Sequence, residues 1–490
     1  MSLKLAIKSA SFYIRDLKTR LPFRFGAFTL QEVPLLHLAV EAEAENGRLA
    51  RGFAADNLVP KWFDKNPVKT PRNNISDLLA SVHIAQKAYL HAARRPHPFW
   101  PIWMDAYPEC LRQGAALTLN PLVASFGSSL FERALTDAAG RLAGLDLVSM
   151  LRGDVLELRP EEIHREVEDG DLQAWANQPP PSTLMVRHTV GLLDTITSPE
   201  LPEDGNPDDG LPTTLEENIS RYGLRFFKVK VRGNVDADLE RLNHIAETLD
   251  RLIPELYVVT LDGNEQYKSI DPFGQLMEAI RRAPQLRRFL DSLLFIEQPL
   301  DRAVALDPSV TKGLAGVSRI CPILIDESDD NLGAFKRAIK LGYRGVSSKN
   351  CKGIIKSFLN RTLIERMNRG LPEEVRLFMS GEDLTNVPVV PLQQDLTTVR
   401  ALGLTHLERN GYHYVRGLDH CSPREREAAT RLHGDLYVGD EREAFIRIAN
   451  GQLHVESLKV PGYGVAFDPD LPSMKPLDEW IREHKLDAGA

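Results

Sequence analysis

From about residue 184 the chain repeats one pattern: a short apolar run, a stretch of helical periodicity, then another apolar run. The runs are LMVRHTVGLL, RFFKVKV, LYVVTLD, LLFIEQP, PILIDES, YRGVSSK and VRLFMSGE. After the second run, Val235, Leu239, Leu242, Ile245, Ala246, Leu249 and Leu252 share one helical face, and Asn234 stands where an N-cap belongs. Strand, helix, strand at this spacing predicts βαβ units in a parallel sheet. Seven such runs suit a closed barrel better than an open sheet. No GxGxxG turn follows the first run, which argues against a doubly wound nucleotide fold. LTHLERNG is the expected eighth strand.

In a parallel barrel all strands end at one rim. Here the runs end in charge: Lys230, Asp262, Glu297, Asp326 with Glu327, and Lys349, at intervals of 32, 35, 29 and 23 residues. Each interval is one βα unit, so these side chains are expected to converge. Lys228 and Lys230 lie two apart and share a strand face; neighbouring carboxylates would offset the cost of burying them. Any one acid is readily explained as a cap for the helix that follows. Three on consecutive strands form a hard-oxygen set suited to Mg²⁺. No His or Cys cluster accompanies them, which disfavours Zn²⁺. Lys230 precedes the acids and Lys349 follows them, so a closed barrel sets one on each side. A desolvated lysine near another cation is expected to have a lowered pKa and to act as a base.

KVK, DGNEQ, IEQP, DES and SSKNCKG, in this order, resemble the motif series of the enolase superfamily in its muconate lactonizing subgroup. VESLKVPGYGVAFDPD resembles that family's returning C-terminal segment. The resemblance implies a modified (β/α)₇β barrel, of α/β class, under an α+β capping domain. It implies an isomerase or lyase that binds Mg²⁺ and removes a proton α to a carboxylate, through an enediolate. Carried over by motif, Asp262, Glu297 and Asp326 are the metal ligands. Lys230 and Lys349 are the acid/base pair, and Lys228 is their electrostatic partner. Asn264 and Glu327 stand behind them, with Glu327 a rival third ligand. Lys352, Arg24 and Glu408 are further candidates near the substrate. The outcome is racemisation or epimerisation, cycloisomerisation, or elimination as in an acid-sugar or hydroxy-acid dehydratase. A Schiff-base aldolase and a non-catalytic metal-binding scaffold are the readings of other classes.

Departures from the family pattern narrow this. No Asp-x-Asp marks the eighth strand, which weakens a dipeptide substrate; Glu408, Arg409 and His413 are what that region offers instead. Strand seven lacks the histidine of mandelate racemase-like sites, and His188 reads as a core or rim histidine. Glu382 and Asp383 either contact substrate or cap a helix. Cys351, between Lys349 and Lys352, reads as a small packing residue.

Upstream, LKLAIKSASFYI, LHLAVEAEAE and ARGFAA alternate as strands, with RLPFRFGAFTL read as a loop hanging over the barrel mouth. Arg24 on that loop is a candidate for a second substrate anion, with Phe23 and Phe25 excluding water. Residues 71 to about 175 read as helix, an insert suited to an oligomer contact or an extra lid. The expected division is a cap at 1–183, a barrel at 184–420 and a returning segment at 421–490. TSPELPEDGNPDDGLPTT is a surface loop by composition.

Composition bounds the partners. A net charge of −8 without a basic tail argues against nucleic acid. No run reaches membrane-span length, and Lys4 and Lys8 interrupt the start. The four cysteines, Cys110, Cys321, Cys351 and Cys421, form no disulfide framework. The expectation is a cytoplasmic homo-oligomer acting on a small carboxylate, with no nucleic acid or membrane partner.

Overall fold

The computed structural model describes residues 3–25, 28–200 and 207–486. Strands β1 (Lys4–Phe25), β2 (Phe28–Ala44) and β3 (Leu49–Asn57) form an antiparallel meander. Within RLPFRFGAFTL, residues 20–25 and 28–30 are strand rather than loop. β1 continues past Pro22, and Phe23 pairs Leu30 while Arg24 pairs Thr29. Pro22 cannot donate to a ladder; it falls inside the register shift between Lys18 and Phe23, where no ladder bond is asked of it.

Helices α1 (Pro71–Ala92), α2 (Phe99–Ala116) and α3 (Pro121–Ala143) pack together and onto this sheet. Thr70 and Asn120 cap α1 and α3 through their side chains, each followed by proline at the first turn. α3 is buried along nearly its whole length. The insert therefore supplies the helical layer of the capping domain, and α3 is no outer lid. Its close contacts need glycine: a Cβ on Gly127 would meet Ser81 O, and one on Gly140 would meet the backbone of Gly462.

The barrel strands are β4 (Thr183–Val190), β5 (Phe226–Lys230), β6 (Val258–Asp262), β7 (Leu293–Glu297), β8 (Ile323–Ile325), β9 (Gly345–Ser348), β10 (Phe378–Gly381) and β11 (His406–Arg409). Each is parallel to the next, and β11 closes the ring on β4. Helices α4 (Leu215–Tyr222), α5 (Val235–Leu252), α6 (Ile270–Arg282), α7 (Thr311–Ser318), α8 (Ala334–Leu341), α9 (Ile354–Met367) and α10 (Val390–Ala401) lie between successive strands. Asn234 caps α5 as expected, accepting from Ala237 N at 3.0 Å. The fold is thus a (β/α)₇β barrel with an antiparallel-sheet capping domain. No described helix is long and apolar enough to cross a membrane.

The C-terminal segment ties the two parts together. β12 (Gln452–His454) adds antiparallel to the start of β4, and β13 (Lys475–Pro476) adds to β1. At the joint, buried Asp137 on α3 accepts from Phe53 N at 3.0 Å and Tyr463 N at 2.8 Å, with Arg141 Nε at 3.0 Å. One carboxylate thus serves a cap strand, a cap helix and the returning segment. Replacing it would orphan two buried N–H groups. Asp137→Ala is expected to cost about 2–5 kcal/mol, read as a lower denaturant midpoint with an unchanged slope.

Candidate active site

β5, β6 and β7 are in register, so Lys230 pairs Asp262 and Asp262 pairs Glu297. Three of the expected residues therefore stand on one rung at the C-terminal rim. Asp326 follows β8 directly and Lys349 follows β9. All five are buried.

Lys228 lies one pleat below this rung, and its ammonium meets four carboxylates. Asp262 is at 3.1 Å, Glu297 at 2.7 Å, Glu382 at 2.9 Å and Glu408 at 2.9 Å. Burial alone would lower its pKa; these four acids instead hold it well above the ordinary lysine value. Glu382 also binds Arg187, which lies over the Phe295 ring at 4.9 Å. Glu408 accepts from Thr189 Oγ1 at 2.6 Å and Asp383 N at 3.0 Å.

Lys230 Nζ donates to Asp262 Oδ2 at 2.8 Å and Asn264 Oδ1 at 2.5 Å. Asn264 turns the chain at positive φ, donates its own N–H to Asp262 Oδ1 at 2.7 Å, and reaches Glu327 at 3.3 Å. Across the barrel, Lys349 Nζ donates to Asp326 Oδ2 at 2.6 Å and sits 4.6 Å from the Trp62 ring centre. Lys352 supports the same carboxylate at 3.2 Å and Ser347 Oγ at 2.7 Å. Burial would raise the Asp326 pKa, but Lys349, Lys352 and Lys228 pull it well below the usual range. The expected lowered pKa of Lys349 is corrected: burial favours the neutral amine, yet Asp326, Glu297 and Glu408 together outweigh it and the pKa rises.

Glu297 differs from its neighbours. Lys228 lies beside it, but neither carboxylate oxygen has a hydrogen-bond partner. Burial, Asp262 and Glu382 raise its pKa well above the usual value. Glu327 is raised to about 7 by burial and by Glu265, and its Oε2 has no partner.

Lys228, Lys230 and Lys349 line one cavity of about 20 Å³, room for a single water. Phe23, Val59 and Trp62 of the cap roof it together with Leu384. Lys65, from the same cap loop as Trp62, binds Asn264 O at 2.9 Å and Glu265 at 2.5 Å. The roof is thereby pinned to the β6 end.

Other candidates fall elsewhere. Arg24 is exposed and does not line the cavity, because it alternates with inward-facing Phe23 along β1. The side chain of Phe25 lies outside the described residues. Arg409 is buried between Asp383 and Asp395 rather than solvated. His188 bonds Tyr412 Oη at 2.7 Å, and burial with His413 lowers its pKa to about 3, so it is a neutral packing group. Cys351 is buried, with its thiol pKa pushed up by burial.

Arg187, Thr189, Trp62 and Lys65 escaped the sequence reading. Arg187 carried a usable signal, a charge inside the apolar run LMVRHTV, the same anomaly that singled out Lys228. Trp62 and Lys65 carried none, since nothing local says a cap loop will land on a particular rim.

Residues 211–354 match the family model described as enolase C-terminal domain-like. No curated protein matches the sequence. Among solved structures, the chain is similar to an enolase from Bradyrhizobium complexed with magnesium and mandelic acid. They share 15% identity over 99% of each chain, with a TM-score of 0.57. A mandelate racemase/muconate lactonizing protein from Herpetosiphon aurantiacus matches at 16% identity, 94% of this chain, 99% of that one and TM-score 0.57. A dipeptide epimerase from Methylococcus capsulatus, complexed with Mg and L-Arg-D-Lys, matches at 17% identity, 94% and 100% coverage and TM-score 0.56. At these identities the likeness to the solved structures is one of fold.

Removing the central ammonium tests the electrostatics. Lys228→Met leaves four buried carboxylates without their common partner, so they should hold protons in the folded state above their unfolded pKa values. The folded state then binds more protons than the unfolded one, and stability rises as pH falls. The variant is expected to lose about 3–5 kcal/mol at pH 8, with the deficit shrinking toward pH 5 in denaturant titrations.

Proposed function

From a chain with the barrel signature of the enolase superfamily and the fold of its mandelate racemase/muconate lactonizing group, we propose an enzyme that removes a proton α to a carboxylate. The observation that carries this is the placement of Lys230 and Lys349. They leave the second and sixth strands of an eight-stranded ring, half a turn apart, and line the same cavity beside the Asp262–Glu297 rung.

The donor set fits Mg²⁺. Asp262, Glu297 and Asp326 are hard-oxygen donors, and both Glu297 oxygens are buried without a hydrogen bond. Among the described residues no three such groups are yet gathered into a finished cage. Lys228 stands between Asp262 and Glu297, and Lys349 with Lys352 holds Asp326. These three carboxylates would hold Mg²⁺, which would supply positive charge to offset negative charge growing on the substrate carboxylate.

The chain's own residues do the rest. Asp262 and Asn264 aim the Lys230 amine, while Asp326 and the Trp62 face aim that of Lys349. Amines on opposite sides of one carbon allow removal of a proton from one face and delivery to the other, the requirement for racemisation or epimerisation. A cycloisomerisation or syn elimination can use one amine. Phe23, Val59, Trp62 and Leu384 exclude water, which strengthens the charge interactions beneath them.

Exchange of the α-proton in deuterated water, followed by NMR over a panel of carboxylic acids with Mg²⁺, tests the reading. Exchange is expected, and chelation should abolish it. Loss of water alongside exchange would identify a dehydratase. A covalent adduct trapped by borohydride would indicate a Schiff base instead.

Lys230→Ala and Lys349→Ala are each expected to lower kcat by about 10²–10⁴-fold; near-normal turnover by either would remove its role. Mg²⁺ is expected to raise the melting temperature of the wild type and not of Asp262→Asn, measured without substrate.

A further inference from the structure

We propose that the N-terminal end of the barrel carries a second binding site, for a small organic anion: one carboxylate or phosphate on an apolar body. The site goes beyond proton abstraction and does not depend on it. It is a pocket of about 540 Å³ where β10 and β11 begin. β10 runs from this pocket, at Phe378 and Met379, toward the opposite rim, where Glu382 meets Lys228. The two cavities share no lining residue.

The first observation is charge. The guanidinium groups of Arg361, Arg369 and Arg376 line the pocket against one carboxylate, that of Glu365. Arg361 Nη1 takes Glu365 at 3.0 Å. Arg369 bonds buried Asp171, which lies outside the lining. Arg376 is different. Its Nε donates to Leu371 O at 3.1 Å, and among the described residues it has no carboxylate partner. That bond fixes one nitrogen of the guanidinium and leaves its Nη pair uncommitted, the geometry that takes a carboxylate or phosphate through two parallel hydrogen bonds. A cation would be repelled here, and a neutral ligand would forgo the charge-assisted bonds.

The second observation is the floor. Ile364, Leu377, Met379 and Leu402 line the same pocket and are buried, so the body of a ligand meets hydrocarbon beside the arginines. The third is that the walls are braced without a ligand. Asn368 grips the Leu377 backbone twice, donating to its O and accepting from its N, each at 2.8 Å. Arg344 Nη2 donates to Arg376 O at 2.9 Å. Arg361 lies over the Trp175 ring at 5.7 Å and donates to Leu402 O at 3.4 Å. A preformed concavity with an apolar floor and a few fixed polar groups is the common form of a small-molecule site, and its ordering costs little on binding.

Calorimetric titration at fixed ionic strength tests the site, with phenyl phosphate, benzoate, benzamide and inorganic phosphate as probes. At least one of the two aromatic anions is expected to bind saturably, about 10-fold or more tighter than neutral benzamide. Tighter binding of phenyl phosphate would name a phosphate as the acidic group, and tighter binding of benzoate a carboxylate. Arg376→Gln is expected to weaken the preferred anion by about 10-fold or more, with Arg376→Lys restoring part of the loss. Arg376 is exposed, so the melting temperature of either variant without ligand should match the wild type. Failure of both aromatic anions to saturate, or benzamide binding as tightly as they do, would overturn the proposal. So would an affinity unchanged in Arg376→Gln, which would put the anion elsewhere on the molecule. Inorganic phosphate binding as tightly as phenyl phosphate would overturn the apolar body. None of these results bears on α-proton exchange, which is measured separately.

Discussion

One ammonium, that of Lys228, holds the interior of the barrel together electrically. Four carboxylates from four different strands or strand ends touch it, and each would repel the others without it. A buried charge array of this kind stabilises little on balance, since desolvation opposes the attraction. Its consequence is positional. Asp262 and Glu297 are kept on one rung, and Glu382 and Glu408 are drawn to the opposite wall, where Arg187 and Thr189 complete their coordination.

Above that array the two candidate bases are defined by pairs. Lys230 with Asp262 and Asn264, and Lys349 with Asp326 and Trp62, are two amines whose directions are set by neighbours on different elements. The capping domain participates in this directly. Trp62 faces Lys349, while Lys65 and Arg302 fasten the same cap loop to Glu265 and to the backbone of Trp62, Phe63 and Asn264. Cap position and lysine direction are therefore coupled, and a displacement of the loop reaches the candidate base without any motion of the barrel.

Glu297 marks where the array is incomplete. Its neighbours are satisfied by lysines, serines or backbone N–H groups, whereas its two oxygens have an ammonium beside them and no hydrogen bond. Oxygen donors left in this condition beside two further carboxylates are suited to a hard divalent ion.

The barrel was legible in the sequence because strand and helix periods are local, and because a parallel ring brings every strand end to one rim. That logic expected Lys230, Asp262, Glu297, Asp326 with Glu327, and Lys349 at the rim and Lys228 on the same strand face, and all are buried; their roles came from the motif resemblance. It misplaced Arg24, because a hairpin's reach depends on its pairing partner: Pro22 looked like a loop and proved to be a strand irregularity. It missed Arg187, though that residue carried the same signal as Lys228, and it missed Trp62 and Lys65, which carried no signal. Their proximity to the site is created only when the cap docks on the barrel through contacts hundreds of residues apart. The pKa of Lys349 was likewise beyond sequence, since its sign depends on whether a cation or a carboxylate lies nearest, and folding chose Asp326. Periodicity determined which chemistry-bearing groups face inward; tertiary packing decided which of them touch, because charge and hydrogen-bond energies turn on distances of a few ångströms that no local pattern encodes.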